Sequence, residues 1–557
     1  MSTQPSSRLT AIDDARVVEQ SVEQLGQPAP MIFSPSAFEA MRHNIGTEPA
    51  ETGGMLGGRR YSSVVEHFYL DHQGATTAAT YYPDMTAVNS HLKEVWNPTG
   101  INLLGFVHSH PAGSISPSQA DLTYSQRILT HIPAMGRMLL PIVQSMADAG
   151  SFGIRPWVVE RNGSGYRSAL APLEVKSQRI LKPLSELDEY ARVAEAYDLN
   201  VMATSRVVAI GCGGSAQFLE DLARTGVGEF VLIDPDVIEA PNVGTQQVSI
   251  RDIGVAKVTA LARRIIDVSP HARVLTVQAS SDDLTDDMFA RLINGPFPGS
   301  TYHLPSATLL CAFTDGFEAQ ARVNRLGLHF KVPVLAATVY WQGRGVELTF
   351  ACADVTPACI RCALSSRYRQ YLKEGYQNTV TSHGTPLWVT ARLNSMKTPI
   401  ALALLHQVSR VNDSAHPAAL RAARLLDSCG SRNLVMVSLD SDVTASLGLP
   451  LFDRMASPDE GLVTNDLTLW RRPTPDDGKS GSSVCPDCGG TGDYDSLQGT
   501  FLDTRPMPLS FGDYRFPAPQ PPLQVHVPET SDPTRTLRRR HWYSSFRIGR
   551  NNPRRQG

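Results

Sequence analysis

The alternation of apolar and polar positions divides the chain into two patterned regions separated by polar stretches. From Met31 to about Glu160, short apolar runs (FVH, LLPIVQ, PWVVE) alternate with SAFEAMRHNI and QADLTYSQRILTHI. The runs read as strands and the longer stretches as amphipathic helices, giving a mixed α/β domain over residues 31–165. Residues 1–30 read as a flexible lead-in, and a linker helix is expected over 166–204, through LKPLSELDEYARVAEAYDLN. A second region opens at Arg206 with VVAIGCGGS, VLIDPD and ATLLCAFTD, three apolar runs separated by helical segments. Such runs are expected to be buried parallel strands of a doubly wound sheet. This domain is assigned to 205–490, with an insertion at about 410–484 expected to be an embedded subdomain or lid. Residues 491–557 form a proline- and then arginine-rich tail, and no internal repeat is visible.

Composition narrows the class. At roughly 150 residues per domain, 557 residues imply three or four domains. With 42% hydrophobic and 19% charged residues the chain has ample apolar mass for several cores, which excludes global disorder, collagen and coiled coil. A net charge of -3 gives no general reason to expect nucleic acid as a partner. The polar start has no apolar signal region, and stretches such as MLLPIVQSMA and TPIALALLHQV are too short to span a bilayer. Eight cysteines include two CxxC pairs, Cys359/Cys362 and Cys485/Cys488. In a large unsecreted chain that usage fits metal binding in a reducing, cytoplasmic compartment better than disulfides.

The segment FVHSHPAGSISPSQAD carries His108, His110 and Asp121. Histidines at i and i+2 on a strand point to one face, so both imidazoles can meet one metal. Pro117 suits the first turn of a helix capped by Ser116, which places Asp121 one turn further on and able to turn back. Two histidines and one carboxylate with an open fourth position make a catalytic zinc arrangement. Zinc lowers the pKa of its bound water towards about 7. Such chemistry also needs a proton carrier and an oxyanion donor. Glu51, in ETGGMLGG, and Ser118 are the candidates.

Glu51, then HSHP, then seven residues and SxxD, resembles the JAMM (JAB/MPN-type) metallopeptidases over roughly residues 31–160. The resemblance implies His108, His110 and Asp121 as zinc ligands, Glu51 as general acid/base and Ser118 as oxyanion stabiliser. It also implies cleavage of isopeptide or peptide bonds after ubiquitin-like tails.

Gly211-Cys212-Gly213-Gly214-Ser215-Ala216 follows the strand VVAI and opens the helix QFLEDLART. Glycines there let the backbone turn and approach a phosphate, which helix N-terminal amides favour. Asp234 ends the next strand, 23 residues beyond Gly211, where a ribose hydroxyl is expected. On these features alone an NAD-dependent dehydrogenase is the default reading, and a lone GxGxxA is a weak signal.

The order VLIDPDVIEAPNVGTQQ, DIGVAK, FTDG and TPACIRC, over about 206–365, resembles the ThiF/MoeB and ubiquitin-activating superfamily. The resemblance implies ATP- and Mg2+-dependent adenylation of the C-terminal glycine of a ubiquitin-like protein. It places Gly211, Gly213 and Gly214 at the phosphates, Asp234 at the ribose, Asn242 and Lys257 on phosphates, and Asp315 on magnesium. Two departures stand out. Where the family reads N-x-x-R-Q this chain has Thr245, with Arg251 close by as a possible replacement. The stretch from Ala363 to Asn394, where a thioester cysteine is usual, contains none; its run TVTSHGTPLW offers only hydroxyls and His383, and Thr381 or Ser382 is a poor substitute for a thiolate. Cys429 is a weak candidate for that role and reads better as a small buried thiol. Cys212, Cys311 and Cys352 read as core. The paired CxxC motifs resemble the superfamily's split four-cysteine structural zinc site, with a redox pair as the rival reading.

Together these motifs imply an α/β chain. A JAB/MPN-type metallopeptidase domain is followed by a Rossmann-like, doubly wound ThiF-type domain with a four-cysteine zinc site. The fusion resembles components of bacterial ubiquitin-like conjugation operons and implies zinc, ATP and Mg2+ as cofactors. Its expected partners are a ubiquitin-like protein, an E2-like conjugating enzyme and a second copy of the chain bound through the ThiF-like domain. The alternatives are a sulfur-carrier pathway and a scaffold with an inactive nucleotide site. Eight arginines from Arg535 onward, interleaved with Trp542, Tyr543 and Phe546, read as a solvated tail, with a surface for single-stranded nucleic acid or for an acidic protein as the alternatives.

Overall fold

Ser205–Ile210 (SRVVAI) is buried along its whole length and hydrogen-bonded on both edges, to Glu229–Ile233 and to Ala307–Ala312, both parallel. This computed structural model describes residues 17–490 apart from internal stretches, the longest being 369–383 and 440–466. Arg273–Val277 adds beyond Glu229–Ile233, and Val334–Val339 beyond Ala307–Ala312, again parallel. Alternate side chains enter two cores. Val208 and Ile210 pack with Met288, Phe289, Val323 and Leu326 on one face. Val207 and Ala209 pack with Phe218, Leu222, Leu261 and Ile265 on the other. Helices therefore cover both faces, as a continuous apolar strand requires.

Two expectations about this region change. Val17–Glu19, within the expected flexible lead-in, forms a strand parallel to Arg273–Val277 at the sheet edge. Part of the expected insertion, 410–484, also joins the sheet. Leu434–Ser438 pairs antiparallel with Gly345–Ala351, and Leu467–Arg471 pairs antiparallel with Leu434–Ser438, completing nine strands. The reason is its two apolar faces: Leu434 and Met436 enter one core while Val435 and Val437 enter the other.

The N-terminal region has a separate six-stranded sheet. Its central strand, Ile101–His110, pairs antiparallel with Gly53–Arg59 and parallel with Arg137–Ser145. Helix Pro35–Ile45 packs Ala37, Met41 and Ile45 against one side. Helix Gln119–His131 packs Ile128 and Leu129 against the other. The expected linker helix is not formed at its start. Gly165–Leu170 pairs with Phe152–Asn162, and Leu173–Val175 pairs with Met31–Phe33, so both belong to this region. Further on, the described residues form a 3-10 turn at Asp188–Tyr190 and a short helix at Leu199–Ala203. The tail 491–557 lies outside the described residues. Among the described residues no helix is long and apolar enough to cross a membrane.

One buried ion pair ties the central strands together. Arg206 is 1% exposed, lies opposite Glu229 in the ladder and bonds it at 2.6 Å, while also donating to the carbonyls of Leu292 and Gly295. Removing one partner of a buried pair strands the other charge. Glu229→Ala is expected to cost about 3–5 kcal/mol of stability in a denaturant titration. A loss well under about 1 kcal/mol would mean the pair is not buried as described.

Candidate functional site

His108 and His110 lie at the carboxyl end of Ile101–His110 and point the same way, with Nε2 atoms 2.8 Å apart. Asp121 turns back from the next helix, Oδ1 lying 3.3 Å from His108 Nε2 and Oδ2 3.5 Å from His110 Nε2. Donors about 2.0–2.1 Å from one tetrahedral zinc ion stand about 3.3 Å from each other. The three donors therefore match the bite of a single ion. Burial opposes ionisation of Asp121, but the two imidazoles outweigh it and hold the carboxyl well below its usual range.

The helix starts two residues later than expected. Its cap is Ser118, not Ser116: Ser118 Oγ accepts from Asp121 N at 3.2 Å, and Asp121 Oδ2 accepts from Ser118 N at 2.7 Å. This reciprocal capping box outcompetes a cap at Ser116 because it satisfies two amides at once. It also fixes the ligand carboxylate at the helix entrance. Glu51 is buried and precedes Thr52, whose carbonyl accepts from Ser109 N at 2.9 Å. Glu51 thus sits beside the strand end that bears both histidines.

The second site forms where strand order reverses. Ser205–Ile210 is followed in sequence by strands on one side of it and then, from Ala307, on the other. The carboxyl ends at such a reversal diverge and leave a crevice. Here it is a cavity of about 410 Å³ lined by Gly211, Gly213, Gly214, Asp234, Lys257 and Asp315, among others. Gly211 has φ +89°, and a β-carbon there would lie 2.8 Å from the Phe313 backbone, so only glycine makes this turn. Asp234 accepts from Cys212 N at 2.7 Å and from Asp236 N at 3.0 Å, bracing the glycine loop against the next strand. Burial raises the Asp234 carboxyl above its ordinary value. Lys257 Nζ lies 2.7 Å from Asp236 Oδ2. Thr245 and Gln246 line the cavity, but neither Asn242 nor Arg251 does. Asn242 instead closes its own turn, accepting from Glu239 N at 2.8 Å.

Residues 188–438 match the model of the ThiF family, and residues 35–154 match the model of prokaryotic homologs of the JAB domain. The chain is a fusion of a JAB-type domain with a ThiF-type domain. It is 34% identical over 106 residues to a tRNA threonylcarbamoyladenosine dehydratase of Escherichia coli, covering 19% of this chain and 38% of that one. It is 37% identical over 83 residues to the SAMP-activating enzyme E1 of Haloferax volcanii, covering 14% and 31%. It is also 25% identical over 143 residues to ubiquitin-like modifier-activating enzyme 5 of Aedes aegypti, covering 26% and 36%. The chain thus spans well under half the length of these curated relatives. A crystal structure of E. coli MccB with AMPCPP and MccA aligns over 55% of this chain and 76% of that one, at 15% identity and a TM-score of 0.34.

In the ThiF-type domain the two CxxC pairs, 126 residues apart, converge. Cys359 and Cys485 sulfurs lie 3.8 Å apart, and those of Cys362 and Cys488 3.5 Å. Thiolates 2.3 Å from one tetrahedral zinc ion stand about 3.8 Å apart, so these four buried sulfurs also suit a single ion. Burial, reinforced by the neighbouring thiols, pushes Cys359 well above the ordinary thiol range. Asp487, inside the second pair, was not singled out from the sequence. It accepts from Asn324 Nδ2 at 2.8 Å, Arg325 Nε at 3.0 Å and Arg361 Nη1 at 3.2 Å, fastening the cysteine loop to helix Phe317–Phe330. Cys212, Cys311, Cys352 and Cys429 are packed in the core, and none lines the cavity. Thr381, Ser382 and His383 lie outside the described residues.

Sequence reasoning also missed Tyr81 in the JAB-type domain. Its ring stands 6.1 Å from that of His108 at 25°, and its hydroxyl donates to buried Asp71 at 2.9 Å. A β-carbon at Gly53 would collide with that ring, so the Gly-Gly of ETGG was the available signal. The metal assignments make a joint expectation for elemental analysis. Wild-type protein should carry two zinc ions per chain, Cys485→Ser one with a lowered Tm, and His108→Ala one with the cysteine site still loaded. A single zinc in wild type, lost entirely with His108, would contradict the four-cysteine site.

Proposed function

We propose that this chain both processes and activates a ubiquitin-like protein: zinc-dependent cleavage at its C-terminal tail, then ATP-dependent adenylation of the exposed glycine carboxylate. The observation that carries the reading is the coexistence, in one chain, of a three-donor metal constellation and a glycine-loop cavity at a sheet switch point. Relatives named for activating ubiquitin-like modifiers and SAMP support the second half.

In the first reaction His108, His110 and Asp121 would hold zinc, which when bound supplies Lewis acidity and acidifies water. Glu51 accepts the proton of the attacking water and returns it to the leaving amine. The Ser118 hydroxyl, whose oxygen already caps the helix, still has its proton to donate to the developing oxyanion. In the second reaction the terminal carboxylate attacks the α-phosphorus of ATP and pyrophosphate leaves. Gly213, Gly214 and the start of helix Ala216–Arg224, which line the cavity or open from it, would present amides to the phosphates, and Asp234 would bind the ribose. Lys257 neutralises phosphate charge and Asp315 would hold magnesium.

With no cysteine among the described residues of the cavity wall, activation is proposed to stop at the adenylate, which a partner's nucleophile then attacks. An E2-like enzyme suits that role, and the ThiF-type domain is proposed to act as a homodimer. Two variants separate the halves. Glu51→Gln should keep its zinc yet lose cleavage of a ubiquitin-like fusion by about 10²–10⁴-fold. Asp315→Ala should abolish modifier-dependent ATP–pyrophosphate exchange while leaving cleavage intact. Equal cleavage by wild type and Glu51→Gln would remove the hydrolase assignment, and undiminished exchange in Asp315→Ala the magnesium assignment.

A further inference from the structure

Lys397 is a lysine in an unusual place. It lies on helix Leu387–Val408 and is 2% exposed, yet it lines the glycine-loop cavity. Its ammonium sits over two aromatic faces, 4.0 Å from the Phe313 ring centre and 5.0 Å from that of Phe218. Among the described residues no carboxylate pairs with it. Of their titratable groups only Cys311 acts on it, and burial pushes its ammonium down to about 7, against the weak upward pull of that thiol. Aromatic faces attract a cation but do not replace a counter-ion for a buried charge. A lysine left in this state is stabilised by whatever anion enters the cavity.

The rest of the wall says which anion. Lys257 and Lys397 are the two cations among the described residues that line it, against Asp234, Asp236, Asp282 and Asp315. Lys257 is already bound to Asp236. Thr245 stands where the resemblance implies an arginine, so the wall lacks that charge. Lys397 also lies beside the glycine loop. Asn394, one turn earlier on its helix, donates from Nδ2 to the Gly214 carbonyl at 2.9 Å. Phe313, beneath its ammonium, is the residue whose backbone Gly211 abuts. We infer that Lys397 is a phosphate-binding cation of this cavity, contacting the polyphosphate of a bound nucleotide and supplying the charge that Thr245 does not. The inference deepens the nucleotide reading proposed above and rests on it.

The test is calorimetric titration of the full-length protein, as wild type, Lys397→Met and Lys397→Gln, with ATP, inorganic pyrophosphate and adenosine. Methionine fills the same volume without a charge, so a folded variant is expected, checked by Tm. Both variants should lose about 10–100-fold in affinity for ATP and pyrophosphate, while adenosine stays within about twofold of wild type. Unchanged ATP and pyrophosphate affinities in either folded variant would overturn the role of Lys397 and leave the nucleotide site standing. So would an equal loss for adenosine, which marks a structural role. A wild type that binds neither ATP nor pyrophosphate would overturn both readings together.

Discussion

The two-sided pairing of Ser205–Ile210 is the constraint on which the ThiF-type domain depends. A strand with parallel neighbours on both edges needs apolar cover on both faces, and the alternation of Val207, Val208, Ala209 and Ile210 supplies it. Because the chain builds outward on one side before crossing to the other, the carboxyl ends part at this strand. The glycine turn at Gly211 and the Asp234 brace shape the opening, and helix Leu387–Val408 closes its back wall with Lys397. The cavity is thus a product of topology first and of side chains second.

The JAB-type domain reaches its site by a different route. A single strand end carries both histidines, and a capping box locks the third donor at the start of the next helix. The same Asp121 carboxylate serves as helix cap and candidate ligand. Local helix chemistry therefore sets the donor geometry without needing long-range contacts. The four-cysteine cluster is the opposite case. It joins segments 126 residues apart and depends on Asp487 gripping Asn324, Arg325 and Arg361 to hold its loop in place.

What the sequence made legible follows from these differences. His108, His110 and Asp121 were readable because strand and helix periodicity alone bring them together. The three parallel strands were readable because buried runs announce themselves. Val17–Glu19 was not, since three residues become a strand only when an edge is there to receive them. The strand at Gly165–Leu170 hid in a polar, half-exposed sequence that periodicity cannot separate from a linker. Asn242 matched a motif by order, but its side chain closes its own turn. Lys397 carried a signal that passed unused: a lysine directly before the apolar run TPIALALLHQV, in the half of its helix that packs inward.

Two sites in one chain make sense if the product of one is the substrate of the other, since a tail still carrying extra residues offers no terminal glycine carboxylate to adenylate. The most direct measurement is pyrophosphate release by the full-length protein, supplied with ATP, magnesium and a ubiquitin-like protein either trimmed to its terminal glycine or extended beyond it. Wild type should release pyrophosphate with both forms, and Glu51→Gln only with the trimmed one. Equal release by Glu51→Gln from the extended form, or none by wild type from the trimmed form, would contradict the account.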